Sequence, residues 1–182
     1  MVLPPPYALF VLDASISKEF LDDCLQRAHD GDPTPGWSFW VASTSYADMP
    51  APPQTDKPDE EGTEPPLPDS WTSHWIGKTV EECAQWLQKQ PTYEGEKYYL
   101  DSSVRQGYFV AMDEWSKEDG TMLVCRVSKK EDGEELNVDF FPQRVEEVQM
   151  QMWTNEGSMW ENKAQAYRDT VRKEGKPDRS RF

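Results

Sequence analysis

The sequence predicts an α/β domain with α+β character: a mixed sheet of about five strands, an N-terminal βαβ unit and a C-terminal antiparallel meander, packed by three to four helices. Three observations carry this. Two apolar runs, "YALFVL" and "WSFWVA", flank a stretch with helical spacing. Three β-branched and aromatic runs, "GYFVAMDEW", "TMLVCRVS" and "ELNVDFF", follow one another with only "SKEDG" and "KKEDGE" between them. Helix start signals stand in front of the remaining apolar stripes.

Taken in order, Pro4, Pro5 and Pro6 form a stiff lead-in to a first strand over 7–12, a short continuous apolar run of the kind buried on both faces. Asp13 ends it and Ser15 is placed to cap a helix. Ile16, Phe20, Leu21, Cys24, Leu25 and Ala28 then share one helical face. "WSFWVA" is the second strand. With period-two alternation, Trp37, Phe39 and Val41 point one way and Ser38, Trp40 and Ala42 the other. A large ring on each face suits a strand covered on both sides. Strand, helix, strand with short links makes the two strands parallel.

Residues 49–70, "MPAPPQTDKPDEEGTEPPLPDS", have almost nothing to bury and read as a flexible acidic, proline-rich insert. Order resumes with a capping box, Thr79 with Glu82, ahead of a stripe of Val80, Cys83, Ala84 and Leu87. The three β runs make the meander, since links so short join antiparallel neighbours. "LNVDF" alternates, which leaves one face wet, and Pro142 ends the sheet. Val145, Val148 and Met152 mark a further helix. Ser158 with Glu161 opens the last one, and Gly175 with Pro177 stops it. The whole chain, 1–182, reads as one domain with a flexible basic tail at 176–182.

Composition narrows the function classes. Thirty-four acidic residues against 19 basic ones give a net charge of −15. Such a surface repels a phosphate backbone, so neither nucleic acid nor an anionic membrane is expected as a partner. No apolar run approaches the length of a membrane span. The N-terminus has no cationic lead and too short an apolar run for a signal peptide. Three scattered cysteines, Cys24, Cys83 and Cys125, fit a reducing, cytoplasmic setting. No phosphate-binding loop, nucleophile elbow or zinc-protease motif occurs, and the only histidines are His29 and His74. No metal and no cofactor are expected.

The runs "YFVAMD", "TMLVCRVS", "VDFFPQRVEEVQ" and "WTNEGSMWENKAQAY", with the opening "FVLDASISKEFLDDCLQRA", resemble a small domain-of-unknown-function family over most of the chain outside the insert. That resemblance implies the fold and brings no activity with it.

A site follows from topology. Open sheets bind ligands beyond the carboxyl ends of parallel strands. That edge would gather Asp13, then Ser43, Thr44 and Tyr46, then Asp113, Glu114 and Trp115. Trp40, Trp71 and Trp75 add aromatic walls, the last two flanking His74. Two functions fit. One is a non-catalytic binding or interaction module that takes a protein partner or a small apolar or aromatic molecule. The other is a small cofactor-independent enzyme in which Asp13, Asp113 or His74 moves a proton.

Overall fold

The computed structural model of the chain describes residues 5–32, 36–55, 61–98, 101–129, 135–154 and 157–182, with backbone only at 157 and 158. Its elements are β1 (Tyr7–Val11), α1 (Lys18–Asp30), β2 (Phe39–Val41), α2 (Val80–Gln88), β3 (Tyr108–Met112), a one-turn α3 (Ser116–Asp119), β4 (Thr121–Lys129), β5 (Leu136–Arg144), α4 (Val145–Trp153) and α5 (Gly157–Glu174). They form one five-stranded sheet in the order β2-β1-β3-β4-β5. β1 pairs in parallel with β2 and with β3. β3, β4 and β5 are the antiparallel meander. This is the mixed sheet expected from the sequence.

β1 is the central parallel strand, and every residue of it is buried. Leaving it, the chain reaches β2 on one side through α1 and returns to β3 on the other through α2. Two right-handed crossovers in opposite directions put their helices on opposite faces. The side chains agree. Phe10 and Trp40 meet Trp86 of α2. On the other face, the Tyr7 hydroxyl donates to the Met152 carbonyl of α4 (2.9 Å), and α4 packs on α1.

The local signals act much as expected. The Thr79–Glu82 capping box starts α2, whose buried residues are Val80, Cys83, Ala84 and Leu87. Val145, Val148 and Met152 are buried from α4. Gly175 follows α5 with φ 75°, a left-handed conformation that a side chain resists, and its N–H closes on Val171. The Ser158–Glu161 box and the "KKEDGE" turn fall on residues outside the described side chains or backbone.

Several expectations change. Ser17, not Ser15, caps α1, accepting from Phe20 N–H; Ser15 belongs to the turn before it, where its N–H donates to Asp13 Oδ1 (2.8 Å). "SKEDG" is a single helical turn closed by Gly120. Pro142 lies within β5, opposite Leu123, and does not end it. An edge strand tolerates this, because one of its sides needs no ladder donor. The polar face of "LNVDF" is partly exposed at Asn137 but not wet at Asp139. Asp139 is buried under α5, where Arg126 Nη2 and Arg168 Nη1 donate to its two oxygens at 3.1 and 2.9 Å. Its carbonyl accepts from the Trp160 indole at 3.1 Å.

β2 is likewise at the sheet margin, not central, yet its free edge is covered. The Gly62 and Thr63 N–H groups donate to the Trp37 and Phe39 carbonyls (2.6 and 2.7 Å), and Val41 N–H donates to Thr63 Oγ1 (2.9 Å). Exposed edge groups are thereby satisfied without a sixth strand. These residues come from the proline-rich 49–70 segment, of which 56–60 lie outside the described residues. Leu67 of that segment is buried, and its N–H donates to Asp22 Oδ1 (2.8 Å), so the expectation of nothing to bury does not hold there.

Gly62→Ala tests the edge cover. A Cβ there would stand 2.3 Å from the Phe39 carbonyl oxygen, backbone against backbone. We expect a loss of about 1–3 kcal/mol in urea unfolding; a change below about 0.5 kcal/mol contradicts the packing. Asp139→Asn gives a pH test. Burial favours the neutral Asp139, but hydrogen bonds from Arg168 and Arg126 outweigh it, and the pKa is lowered. The ionised carboxylate therefore stabilises the fold above the unfolded value of about 4, and this is lost as pH falls through the lower folded value. The stability gap between wild type and Asp139→Asn should be full at neutral pH and shrink under acid. A pH-independent gap would contradict the ion-pair account.

Candidate functional site

Because β1, β2 and β3 run the same way, and β4 enters and β5 leaves at their carboxyl ends, one sheet edge collects the turns after Val11, Val41 and Met112 together with Thr121 and Arg144. Leu12 N–H donates to the Met112 carbonyl (2.8 Å), so the chains carrying Asp13 and Asp113 leave the sheet side by side. The edge named from the sequence exists.

Its middle is filled by the chain itself. Ser73 Oγ donates to the Val11 carbonyl (2.6 Å), Gly77 N–H to the Leu12 carbonyl (2.9 Å), and the Trp75 indole to the Ala42 carbonyl (3.2 Å). Residues 73–77 thus take the strand-end acceptors that a ligand would use. Trp75 (5% exposed) and Trp40 (7%) belong to the core rather than to a pocket wall. Trp75 meets Phe10 edge-on at 4.7 Å and Trp86 at 5.1 Å. Tyr46 stacks on Trp86 at 4.5 Å and its hydroxyl donates to the Trp86 carbonyl (2.7 Å), which makes it a strut between β2 and α2.

The nominated acid–base residues have separate surroundings. Asp13 is held by its own turn. Hydrogen bonds from the Ser15 hydroxyl and N–H keep its carboxyl below the usual range, the opposite of a proton donor near neutral pH. Asp113 Oδ1 accepts from Trp115 N–H (3.2 Å), Ser116 Oγ (3.0 Å) and Arg179 Nη1 (2.6 Å). Glu114 is exposed beside it. His74 is exposed and lines a cleft of about 260 Å³ together with Ser43, Leu67 and Trp71. In that cleft Trp71 is half-buried and Leu67 and Ala42 supply apolar floor. Ser43 Oγ is bonded to Asp48 Oδ2 (2.8 Å), and Thr44 is exposed next to it. All three cysteines are buried free thiols, and burial pushes Cys24 and Cys83 up to about 12, away from nucleophilic use.

Sequence reasoning missed Arg179. It assigned 176–182 to a flexible tail, whereas Pro177 and Arg179 are buried and 179–181 form a 3-10 turn capped by Asp178. The guanidinium, with its side chain 0% exposed, pairs with Asp113 and lies 5.7 Å from the Trp115 ring centre. Phe182 then closes on Tyr167 of α5 at 5.1 Å. No local pattern in "KPDRSRF" marks this insertion. Only the carboxylate waiting at the end of β3 does. Arg179, Asp119, Thr121, Arg144 and Lys176 line a larger cleft of about 490 Å³ at the β4–β5 end of the same edge.

Among the described residues no helix is long and apolar enough to cross a membrane. No protein family, curated protein or solved structure matches the chain.

The Asp113–Arg179 pair gives a prediction. Asp113→Ala strands a buried guanidinium and should destabilise by about 3–5 kcal/mol. The double change with Arg179→Met should lose clearly less than the sum of the two single changes. Additive losses in urea unfolding would show that the two side chains act independently.

Proposed function

We propose that the chain is a non-catalytic binding module that takes a small, flat, apolar or aromatic molecule at the carboxyl end of β2. The observation that supports it is the meeting of Ser43, Trp71 and His74 in one cleft, a ring wall with apolar floor and a few polar groups at the rim. Trp71 is the nominated tryptophan on that cleft that the core has not consumed, while Trp40 and Trp75 are buried. The acidic surface disfavours nucleic acid as a competitor. Three reduced, buried cysteines suit a cytoplasmic setting.

The enzymatic reading keeps one supporting observation: His74 lines the same cleft and can exchange a proton with a bound molecule. Asp13 and Asp113 do not line it, so they contribute nothing to chemistry there. His74→Ala separates the two readings. In a binding module it leaves any bound compound unconverted, as in wild type. Turnover by wild type that His74→Ala abolishes supports the enzyme.

The test of binding is a screen of aromatic and heteroaromatic fragments against ¹⁵N-labelled protein, with the Trp71 indole N–H identified through Trp71→Phe. Binders should shift that resonance and the backbone amides of 63–74, and Trp71→Ala should weaken them by roughly tenfold, about 1.4 kcal/mol. Fragments that bind elsewhere while Trp71 stays unmoved would refute the assignment.

A further inference from the structure

The cleft at Trp71 differs in chemistry from the rest of this acidic surface. In a chain of net charge −15, its lining holds four hydroxyl side chains, Ser43, Thr63, Ser70 and Thr72, beside Trp71 and His74. Among the described residues it holds no Asp, Glu, Lys or Arg. The apolar part comes from both sides: Val41 and Ala42 from the end of β2, Leu67 and the half-buried Trp71 from the segment beside it. At about 260 Å³ the cleft lies just under the range of drug-sized sites, about 300–1,000 Å³, and has the size for one ring.

The hydroxyls differ in what they have left to offer. Ser43 Oγ is used up, since it accepts from Ser45 N–H (3.0 Å) and donates to Asp48 Oδ2 (2.8 Å). Thr63 Oγ1 accepts from Val41 N–H (2.9 Å), and its own hydrogen has no acceptor among the described residues. Ser70 and Thr72 are exposed, and their side chains hydrogen-bond to nothing among the described residues. A hydroxyl both gives and takes a hydrogen bond. A ligand with a donor and an acceptor on one edge therefore finds a partner for each. A plain hydrocarbon ring strips water from these groups and replaces nothing.

Charge excludes other occupants. Asp48 lies behind Ser43, and Asp69, next in sequence to Ser70, is fully exposed and stands 3.8 Å from Lys18. An anion entering here meets that field with no cation in the lining to offset it. A cation finds no carboxylate in the lining, and desolvating a charge without a partner is costly.

We infer that the ligand of this cleft is an uncharged aromatic ring with an amide-type edge, an aryl amide or a lactam such as a nucleobase. The inference rests on the binding reading above and narrows it. The ring stacks on Trp71, the carbonyl accepts from Thr63, and the N–H donates to Ser70 or Thr72.

The test compares benzamide, toluene, benzoate and benzylammonium, which share one ring and differ little in size. Each is titrated into the full ¹⁵N-labelled chain with the Trp71 indole N–H as the readout. Benzamide should bind at least about tenfold more tightly than each of the others, the effect of one net hydrogen bond. The double change Ser70→Ala with Thr72→Val breaks no internal hydrogen bond among the described residues, so thermal unfolding should match wild type. It should weaken benzamide by about tenfold and leave toluene as it was. If toluene, benzoate or benzylammonium binds at Trp71 as tightly as benzamide, the cleft is a binding site but the inference is overturned. A double variant that holds benzamide as well as wild type overturns it too. If none of the four moves the indole, the binding reading itself falls, and the inference with it.

Discussion

The parallel seating of β1 between β2 and β3 governs everything else in this molecule. A strand with a ladder on each side and a layer on each face has little tolerance for polar side chains, and the one polar group of "YALFV", the Tyr7 hydroxyl, is bonded to the Met152 carbonyl. Once it is fixed in the middle, the crossovers from β1 to β2 and from β2 to β3 run in opposite directions, and α1 and α2 take opposite faces. The turns after three strands then emerge at one edge, joined by the start of β4 and the end of β5. Both clefts, the buried ion pair and the segment that seals the strand ends are consequences of that arrangement.

The way the chain closes this edge explains why Trp40 and Trp75 are taken up by the core. Trp40, Trp75 and Trp86 with Phe10 form one aromatic cluster between the sheet and α2. Such edge-on and stacked contacts add specificity beyond the area they bury. Trp75 also brings an indole donor to the end of β2, so the same side chain packs the core and satisfies a strand-end carbonyl. What is left outward is half-buried or exposed: Trp71 at one cleft, Trp115 beside the Arg179 guanidinium near the other, Trp37 stacked on His29, and the exposed Trp153.

The regular elements were legible because each states itself within a few residues. The apolar continuity of 7–12, the Thr79–Glu82 box and the stripes of α1, α2 and α4 are short-range patterns, and they settled the sheet's composition and the parallel pair. What stayed hidden was long-range. Gly62 and Leu67 sit in a stretch whose prolines and acids signal exclusion from any core, yet one lies against the Phe39 backbone and the other is buried. Arg179 sits in a run of charges that reads as a solvated tail, and its meaning comes from Asp113, distant in sequence. Asp139 looks solvent-facing by alternation until Arg126, Arg168 and α5 arrive over it. The strand-end rule points to the carboxyl edge of the parallel strands and not to the larger cleft. It follows the parallel strands and so reaches the cleft at the end of β2, whereas the larger cleft lies further along the edge, where the antiparallel meander and the C-terminus meet.

The most direct measurement is native-state hydrogen exchange of the backbone amides, resolved by NMR. A central β1 with two parallel neighbours requires its ladder amides, and the Leu12 amide that donates to Met112, to exchange only through global opening, more slowly than those of the short marginal strand β2. If β1 amides instead exchange as fast as those of β2, β1 is a margin, the shared edge dissolves, and the sites built on it go with it.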